Sequence, residues 1–330
     1  MGAKRFVVLG AGGIGGTIGA RLFQRGETVT LIARGPHLEA IRRDGLTLIA
    51  PDGEHRARIA VCSHPKEIDW RDDDVVLLCV KSQQTVAALD DLRDAAGDQV
   101  PVVCVQNGVA NESMALRRFA RVYAMVVNLP AAHMSPGVVI AYAHSPGGVL
   151  DVGCYPSGVD ALCSEIADAL TRAGFSVRPD AAVMRQKYAK LLMNLNNALQ
   201  AATNMAEGTV EISRMLRDEA LACYEAAGIG SSTAEEVRAR RSDGVRYVDI
   251  PGYPRHGGSS WQSVARGTGD IETDYLNGEI VLLGRMHAVP TPANAAVQLL
   301  GNQMARRGLP PASIEVAQVH AMIEQQRNLG

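Results

Sequence analysis

A chain of 330 residues, 47% hydrophobic and 21% charged, has enough apolar material for two domains, since a single core stops growing at ~250–300 residues. Its formal net charge of −2 gives no field for a polyanion, which argues against nucleic acid, and no apolar run reaches the ~20 residues that span a bilayer. The six cysteines (Cys62, Cys79, Cys104, Cys154, Cys163 and Cys223) show neither C-x-x-C nor a zinc-site spacing with histidine, so no metal is expected. They read as reduced core residues, and with no signal peptide ahead of the first strand the expected location is the cytoplasm.

Residues 4–9 read as a buried strand and residues 14–25 as a helix with Ile14, Ile18, Leu22 and Phe23 apolar, ended by Gly26. Residues 28–32 read as a second strand. Between the first strand and the helix stands Gly10-Ala11-Gly12-Gly13-Ile14-Gly15, the G-x-G-x-x-G spacing of a dinucleotide-binding turn. Gly10 permits the turn, Gly12 lets a pyrophosphate approach the backbone, and Gly15 lets helix and strand pack closely. The helix N-terminus adds free N–H groups and partial positive charge. After the second strand comes Arg34, where a NAD-binding chain carries an acid for the ribose 2′-OH. A guanidinium there suits the 2′-phosphate of NADPH, and a solvated surface arginine is the alternative.

Residues 46–61 read as a β-hairpin turning at Asp52-Gly53. Residues 74–80 form a buried strand ending at Lys81, which puts this lysine either at the ligand-binding edge of a parallel sheet or in an ordinary surface loop. A helix is expected over 83–95, then a strand over 101–105 leading to Gln106-Asn107-Gly108 and a helix over 111–120. Asn107 can offer a donor and an acceptor to the nicotinamide half of a dinucleotide, although Asn-Gly alone is often only a turn. Strands follow at 122–127, 137–142 and 149–152, a helix at 159–172 and a last strand at 175–178.

From about 180 the pattern becomes helical. The expected fold class is therefore α/β, a Rossmann-type doubly wound sheet (1–180) followed by an all-helical second domain (181–330) for substrate and catalysis. Within one expected helix, 185–201, Lys187, Lys190, Asn194 and Asn197 fall on one face. Two asparagines are unusual on a merely solvated face, and they suggest recognition of hydroxyl or carbonyl groups. Residues 252–258 read as a loop, Ser259 or Ser260 as a helix cap, and Glu272 as the start of another helix. Residues 293–328 read as amphipathic helix without evident chemistry.

These stretches together resemble the ketopantoate reductase (2-dehydropantoate 2-reductase) family along nearly the whole chain. The likeness is carried by Gly10 to Gly15, Arg34, Val80-Lys81, Gln106-Asn107-Gly108, Lys190-Leu191-Leu192-Met193-Asn194, Ser259-Ser260 and the run from Glu272 to Gly278. The resemblance implies NADPH-dependent reduction of 2-dehydropantoate to pantoate, on the route to pantothenate and coenzyme A. It implies Lys190 as general acid, Asn194, Asn197 and Ser260 as substrate contacts, and Glu272 as orienting group and cofactor contact. Gly10, Gly12, Gly13, Ile14, Gly15, Arg34, Lys81 and Asn107 are the other cofactor contacts it implies. The partner expected is a small 2-oxo acid, with neither nucleic acid nor membrane, and a homodimer is compatible with it. Three departures concern the substrate and nicotinamide side: position 198 is Ala where the family places Asn, with Asn197 one residue away, Glu207 stands for another family Asn, and Asn128 to Pro130 lacks a Gly/Thr-rich run. Another branched 2-oxo acid is the alternative substrate, and a non-catalytic NADPH sensor the alternative of a different class.

Overall fold

The computed structural model describes residues 4–242, 244–267 and 269–329. Its strands are β1 (Arg5–Leu9), β2 (Thr28–Ile32), β3 (Leu46–Ala50), β4 (Gly53–Ala57), β5 (Ala60–Cys62), β6 (Asp74–Leu78), β7 (Val102–Cys104), β8 (Val122–Met125), β9 (Ala131–Ser135), β10 (Val138–Ala141) and β11 (Val152–Cys154). Its helices are α1 (Gly13–Gln24), α2 (Gly35–Asp44), α3 (Thr85–Ala96), α4 (Asn111–Leu116), α5 (Ala161–Arg172), α6 (Val183–Asn194) and α7 (Asn197–Thr203). They continue as α8 (Thr209–Ala226), α9 (Ala234–Ser242), α10 (Ser259–Ala265), α11 (Asn277–His287), α12 (Pro292–Arg307) and α13 (Val316–Arg327).

The chain forms two compact units that are not divided at a single point. One comprises Met1–Asn107, Asn111–Lys187 and Thr233–Arg255, the other Gly108–Ala110, Tyr188–Ser232 and His256–Gly330. In the first, a seven-stranded sheet runs in the order β11-β8-β7-β6-β1-β2-β5, parallel except for β11. The period of two along β1 sends Phe6 and Val8 into one core with Ile18, Leu22 and Leu170, and Val7 and Leu9 into another with Leu78, Leu89 and Phe119. Helices cover both faces, which is why the strands read as unbroken apolar runs. The strand order reverses at β1, so the crevice beyond its carboxyl end is the switch point where α/β sheets bind ligands.

Several sequence expectations change. The hairpin closes at Asp52-Gly53, but its second arm ends at Ala57, and residues 60–62 instead form β5, the edge strand beside β2. The hairpin joins β10 and β9 in a separate four-stranded sheet, order β4-β3-β10-β9. Residues 175–178 form no strand: Ser176 and Pro179 make only isolated bridges to Val149 and Val152. Residues 234–255 return to the first unit, held where Arg240 forks onto Asp151 at 2.5 and 2.7 Å and bonds the Ser176 carbonyl at 3.1 Å.

The second unit is helical. The single helix expected over 185–201 is broken at Leu195-Asn196 into α6 and α7. The break frees the Leu195 carbonyl, and the buried Asn277 amide donates to it at 3.0 Å and to Asn294 Oδ1 at 3.1 Å. Asn294 in turn donates to the Leu216 carbonyl at 3.0 Å, so a relay of buried amides fixes the break. Among the described residues no helix is long and apolar enough to cross a membrane.

Candidate active site

The first unit supplies a phosphate-binding turn. Gly10 has φ +107°, and a Cβ there would lie 2.8 Å from the Val80 amide nitrogen, so only glycine makes this turn. A Cβ on Gly15 would sit 2.2 Å from the Gly10 carbonyl, whereas one on Gly12 would meet nothing within 4 Å. The first and third glycines are thus demanded by the fold, and the middle one faces open space. Gly12 is the N-cap of α1, makes no side-chain cap, and is followed by a first turn without an acidic residue. The N–H groups there keep their electropositive character, which fits a pyrophosphate. His37 braces the turn: its Nδ1 accepts the Gly137 N–H at 2.8 Å, so Nε2 carries the proton and donates to the Ala11 carbonyl at 2.8 Å. Burial lowers the pKa of this imidazole, in keeping with the neutral tautomer that both bonds require.

Arg34 stands at the N-cap of α2, just beyond β2, with an exposed guanidinium 3.2 Å from Asp91 Oδ2. Lys81 follows β6 and Asn107 follows β7, both half-buried at the carboxyl edge of the sheet. A buried polar network, missed in the sequence, ties their loops together. Gln106 Nε2 donates to the Val80 carbonyl and to Thr85 Oγ1, both at 2.8 Å. Thr85 donates to Asn111 Oδ1 at 2.8 Å, and Asn111 Nδ2 donates to Ser82 Oγ and the Asn107 carbonyl at 3.1 Å.

Lys187, expected on one polar face with Lys190, is instead buried. Its ammonium is 3% exposed and meets Glu112 at 2.5 Å, the Gln106 carbonyl at 3.0 Å and the Met125 carbonyl at 3.4 Å. Two carbonyls accept from the ammonium and a buried carboxylate pairs with its charge, so this lysine is structural. Nothing local in the sequence marks the pair, since Glu112 stands between Asn111 and Ser113 in a short polar helix start.

In the second unit Lys190 and Asn194 lie one turn apart on α6, half-buried and buried respectively. Asn197 is the first residue of α7 because of the break, and its Oδ1 is 3.5 Å from where a Gly258 Cβ would be. Gly258, rather than Ser259 or Ser260, is the N-cap of α10, and its N–H donates to Gln200 Oε1 at 2.8 Å. The structure therefore brings Asn197 to the start of the helix that carries Ser260. Ala198 faces away and would lie 3.2 Å from a Cβ on Gly301. Glu272 is buried and opens a 3₁₀ turn, Glu272–Tyr275, that leads into α11. The Asn277 amide, just beyond that turn, is the group bonded to the carbonyl that ends α6. Glu207 is exposed between α7 and α8.

Asn194 Nδ2, Ser259 Oγ and Ser260 Oγ are buried, and no described residue hydrogen-bonds them. Buried polar groups rarely go unpaired without a ligand or water to complete them. All six thiols are free, Cys154 and Cys163 lie Sγ to Sγ at 3.8 Å beside Asp160, and burial pushes Cys223 up to about 11 and Cys163 to about 12.

A doubly wound sheet with a glycine turn at its switch point, in one chain with a helical unit of this make-up, defines a Rossmann-type oxidoreductase. Residues 6–157 match the family model described as "Ketopantoate reductase PanE/ApbA", and residues 182–304 match its C-terminal counterpart. The chain belongs to this family. A 2-dehydropantoate 2-reductase of Mesorhizobium japonicum is 30% identical over 336 residues, covering 91% of this chain and 98% of the relative. A crystal structure of a PanE/ApbA family ketopantoate reductase from Ralstonia eutropha is 27% identical with TM-score 0.78, covering 92% and 99% of the two chains. D-mandelate dehydrogenase, solved with NADH and anilino(oxo)acetate, shares the fold at TM-score 0.78 and 21% identity, covering 92% and 99%.

Proposed function

We propose that this chain reduces 2-dehydropantoate to pantoate with NADPH, and that Lys190 is the general acid. The observation that carries the reading is the pair of buried, unpartnered groups Asn194 Nδ2 and Ser260 Oγ in the unit that holds Lys190. 2-Dehydropantoate offers a carboxylate and a hydroxyl oxygen, acceptors that a serine hydroxyl and an amide N–H would complete. The names of the relatives point to the same substrate.

The bound nucleotide supplies hydride to the carbonyl carbon. The glycine turn and the N-terminus of α1 would hold its pyrophosphate, Arg34 its 2′-phosphate and Asn107 its nicotinamide half, with Lys81 a further cofactor contact. The open space before Gly12 and the uncapped helix support this fit. Negative charge then builds on the substrate oxygen, and the Lys190 ammonium stabilises it and delivers the proton. Ser260 Oγ donates to the substrate carboxylate, and Asn194 and Asn197 orient the hydroxyl end. Glu272 holds the ammonium and the substrate in register.

Asn197, reaching Gly258 where Ala198 does not, supports the pantoyl substrate despite the shift of one residue. Exposed Glu207, in place of a family Asn, favours the second reading, another branched 2-oxo acid. Steady-state rates with NADPH across a panel of 2-oxo acids test both. Ketopantoate giving the highest kcat/KM is expected; 2-oxoisovalerate exceeding it would transfer the assignment to the second reading, and no turnover with any acid would leave the sensor.

A further inference from the structure

His64 follows β5 as Arg34 follows β2, and these strands pair Ile32 with Cys62, so both loops leave the same edge of the sheet side by side. Their side chains meet on one atom. Asp91 Oδ2, on α3, lies 3.2 Å from Arg34 Nη2 and 3.4 Å from His64 Nε2. The histidine's tautomer is set by its own loop: Nδ1 accepts the Lys66 N–H at 3.2 Å, capping the 3₁₀ turn Pro65–Glu67, which leaves the proton on Nε2. Side-chain exposures of 67% for Arg34, 32% for His64 and 39% for Asp91 leave the cluster open to a ligand.

The geometry points to a two-donor oxyanion site, formed by Arg34 Nη2–H and His64 Nε2–H, that takes the 2′-phosphate of the cofactor and that the Asp91 carboxylate fills in its absence. The inference rests on the NADPH reading and deepens it by adding a specificity residue and an internal rival. A phosphate monoester presents more oxygens and more charge than a carboxylate, and the planar fork of arginine bonds it well. The strand order puts the adenosine end of a dinucleotide on this side of the switch point, so the 2′-phosphate is the anion that reaches these donors. Asp91 repels the incoming phosphate and holds the two donors pointed at one place. His64 thereby raises the preference for a 2′-phosphate, and Asp91 lowers its absolute affinity.

The test is isothermal titration calorimetry of the purified full chain with 2′,5′-ADP and 5′-AMP. His64→Asn keeps an acceptor for the Lys66 N–H and deletes the Nε2 donor, so the capped turn survives. This variant is expected to bind 2′,5′-ADP about 5–30-fold more weakly, the range for one charge-assisted hydrogen bond at an open site, and 5′-AMP within about 2-fold of the parent. Asp91→Asn is expected to bind 2′,5′-ADP several-fold more tightly, because a like charge is gone. Undiminished preference for 2′,5′-ADP in His64→Asn, or weaker binding in Asp91→Asn, overturns the inference while the NADPH reading stands. Equal affinity of the parent for both nucleotides overturns the NADPH reading as well, and binding of neither removes the dinucleotide site altogether.

Discussion

Replacing Lys187 by Met removes the cation paired with Glu112, a carboxylate that is 0% exposed. Neither oxygen of Glu112 has a hydrogen bond from the described residues, so the ammonium at 2.5 Å is the group that offsets its burial. Breaking such a pair from one side costs about 3–5 kcal/mol, because the remaining charge stays buried. Lys187→Met is expected to lose that much, whereas Glu112→Gln is expected to lose less, since the Gln106 and Met125 carbonyls still accept from the ammonium. Lys187→Met with Glu112→Gln removes both charges and should be at least about 2 kcal/mol less damaging than the sum of the two single changes. The assay is urea unfolding followed by fluorescence. The chain has 2 tryptophans, Trp70 in the first unit and Trp261 in the second, so a Trp261→Phe background reports the unit that holds the pair. Additivity of the two single losses within about 0.5 kcal/mol would refute the claim that these charges sustain each other.

Gly15→Ala, with its Cβ 2.2 Å from a carbonyl oxygen, is expected to unfold the first unit at ordinary temperature, while Gly12→Ala should melt like the parent and lose dinucleotide affinity; circular dichroism melts and calorimetry separate the two. Arg21 holds the Asp52 carboxyl at about 2, below its ordinary 3.8, so this pair contributes stability above pH ~4 that disappears as pH falls toward 2. The urea midpoint of Asp52→Asn should therefore fall below the parent's at pH 5 and approach it at pH 2.5. Asn277→Leu leaves the Leu195 carbonyl and Asn294 Oδ1 without their buried donor and should cost about 1–3 kcal/mol, read as a lower urea midpoint of the second unit by Trp261 fluorescence.

The dinucleotide half was legible because its signals are local. Gly10 and Gly15 are imposed by contacts within a strand–turn–helix, and Arg34 and Lys81 stand at strand ends that apolar runs mark out. What sequence could not carry was pairing across long separations. Residues 60–62 look like a hairpin arm until β2 claims them as an edge, and Ser176 reads as strand although only isolated bridges form there. Lys187 and Lys190 are equivalent by helical spacing, yet one meets a glutamate 75 residues upstream at 2.5 Å. The break at Leu195-Asn196 depends on Asn277, 82 residues away, to take up the freed carbonyl. That break also makes Asn197 the first residue of α7, with its Oδ1 3.5 Å from where a Gly258 Cβ would lie, a placement the expected single helix did not give.

Lys190→Ala, assayed for turnover at saturating NADPH and ketopantoate beside its dissociation constant for NADPH, addresses the mechanism most directly. The account predicts kcat lowered by about 10²–10⁴, the range for a positioned acid, with NADPH affinity within about 2-fold of the parent. Turnover at the parent's rate would contradict it.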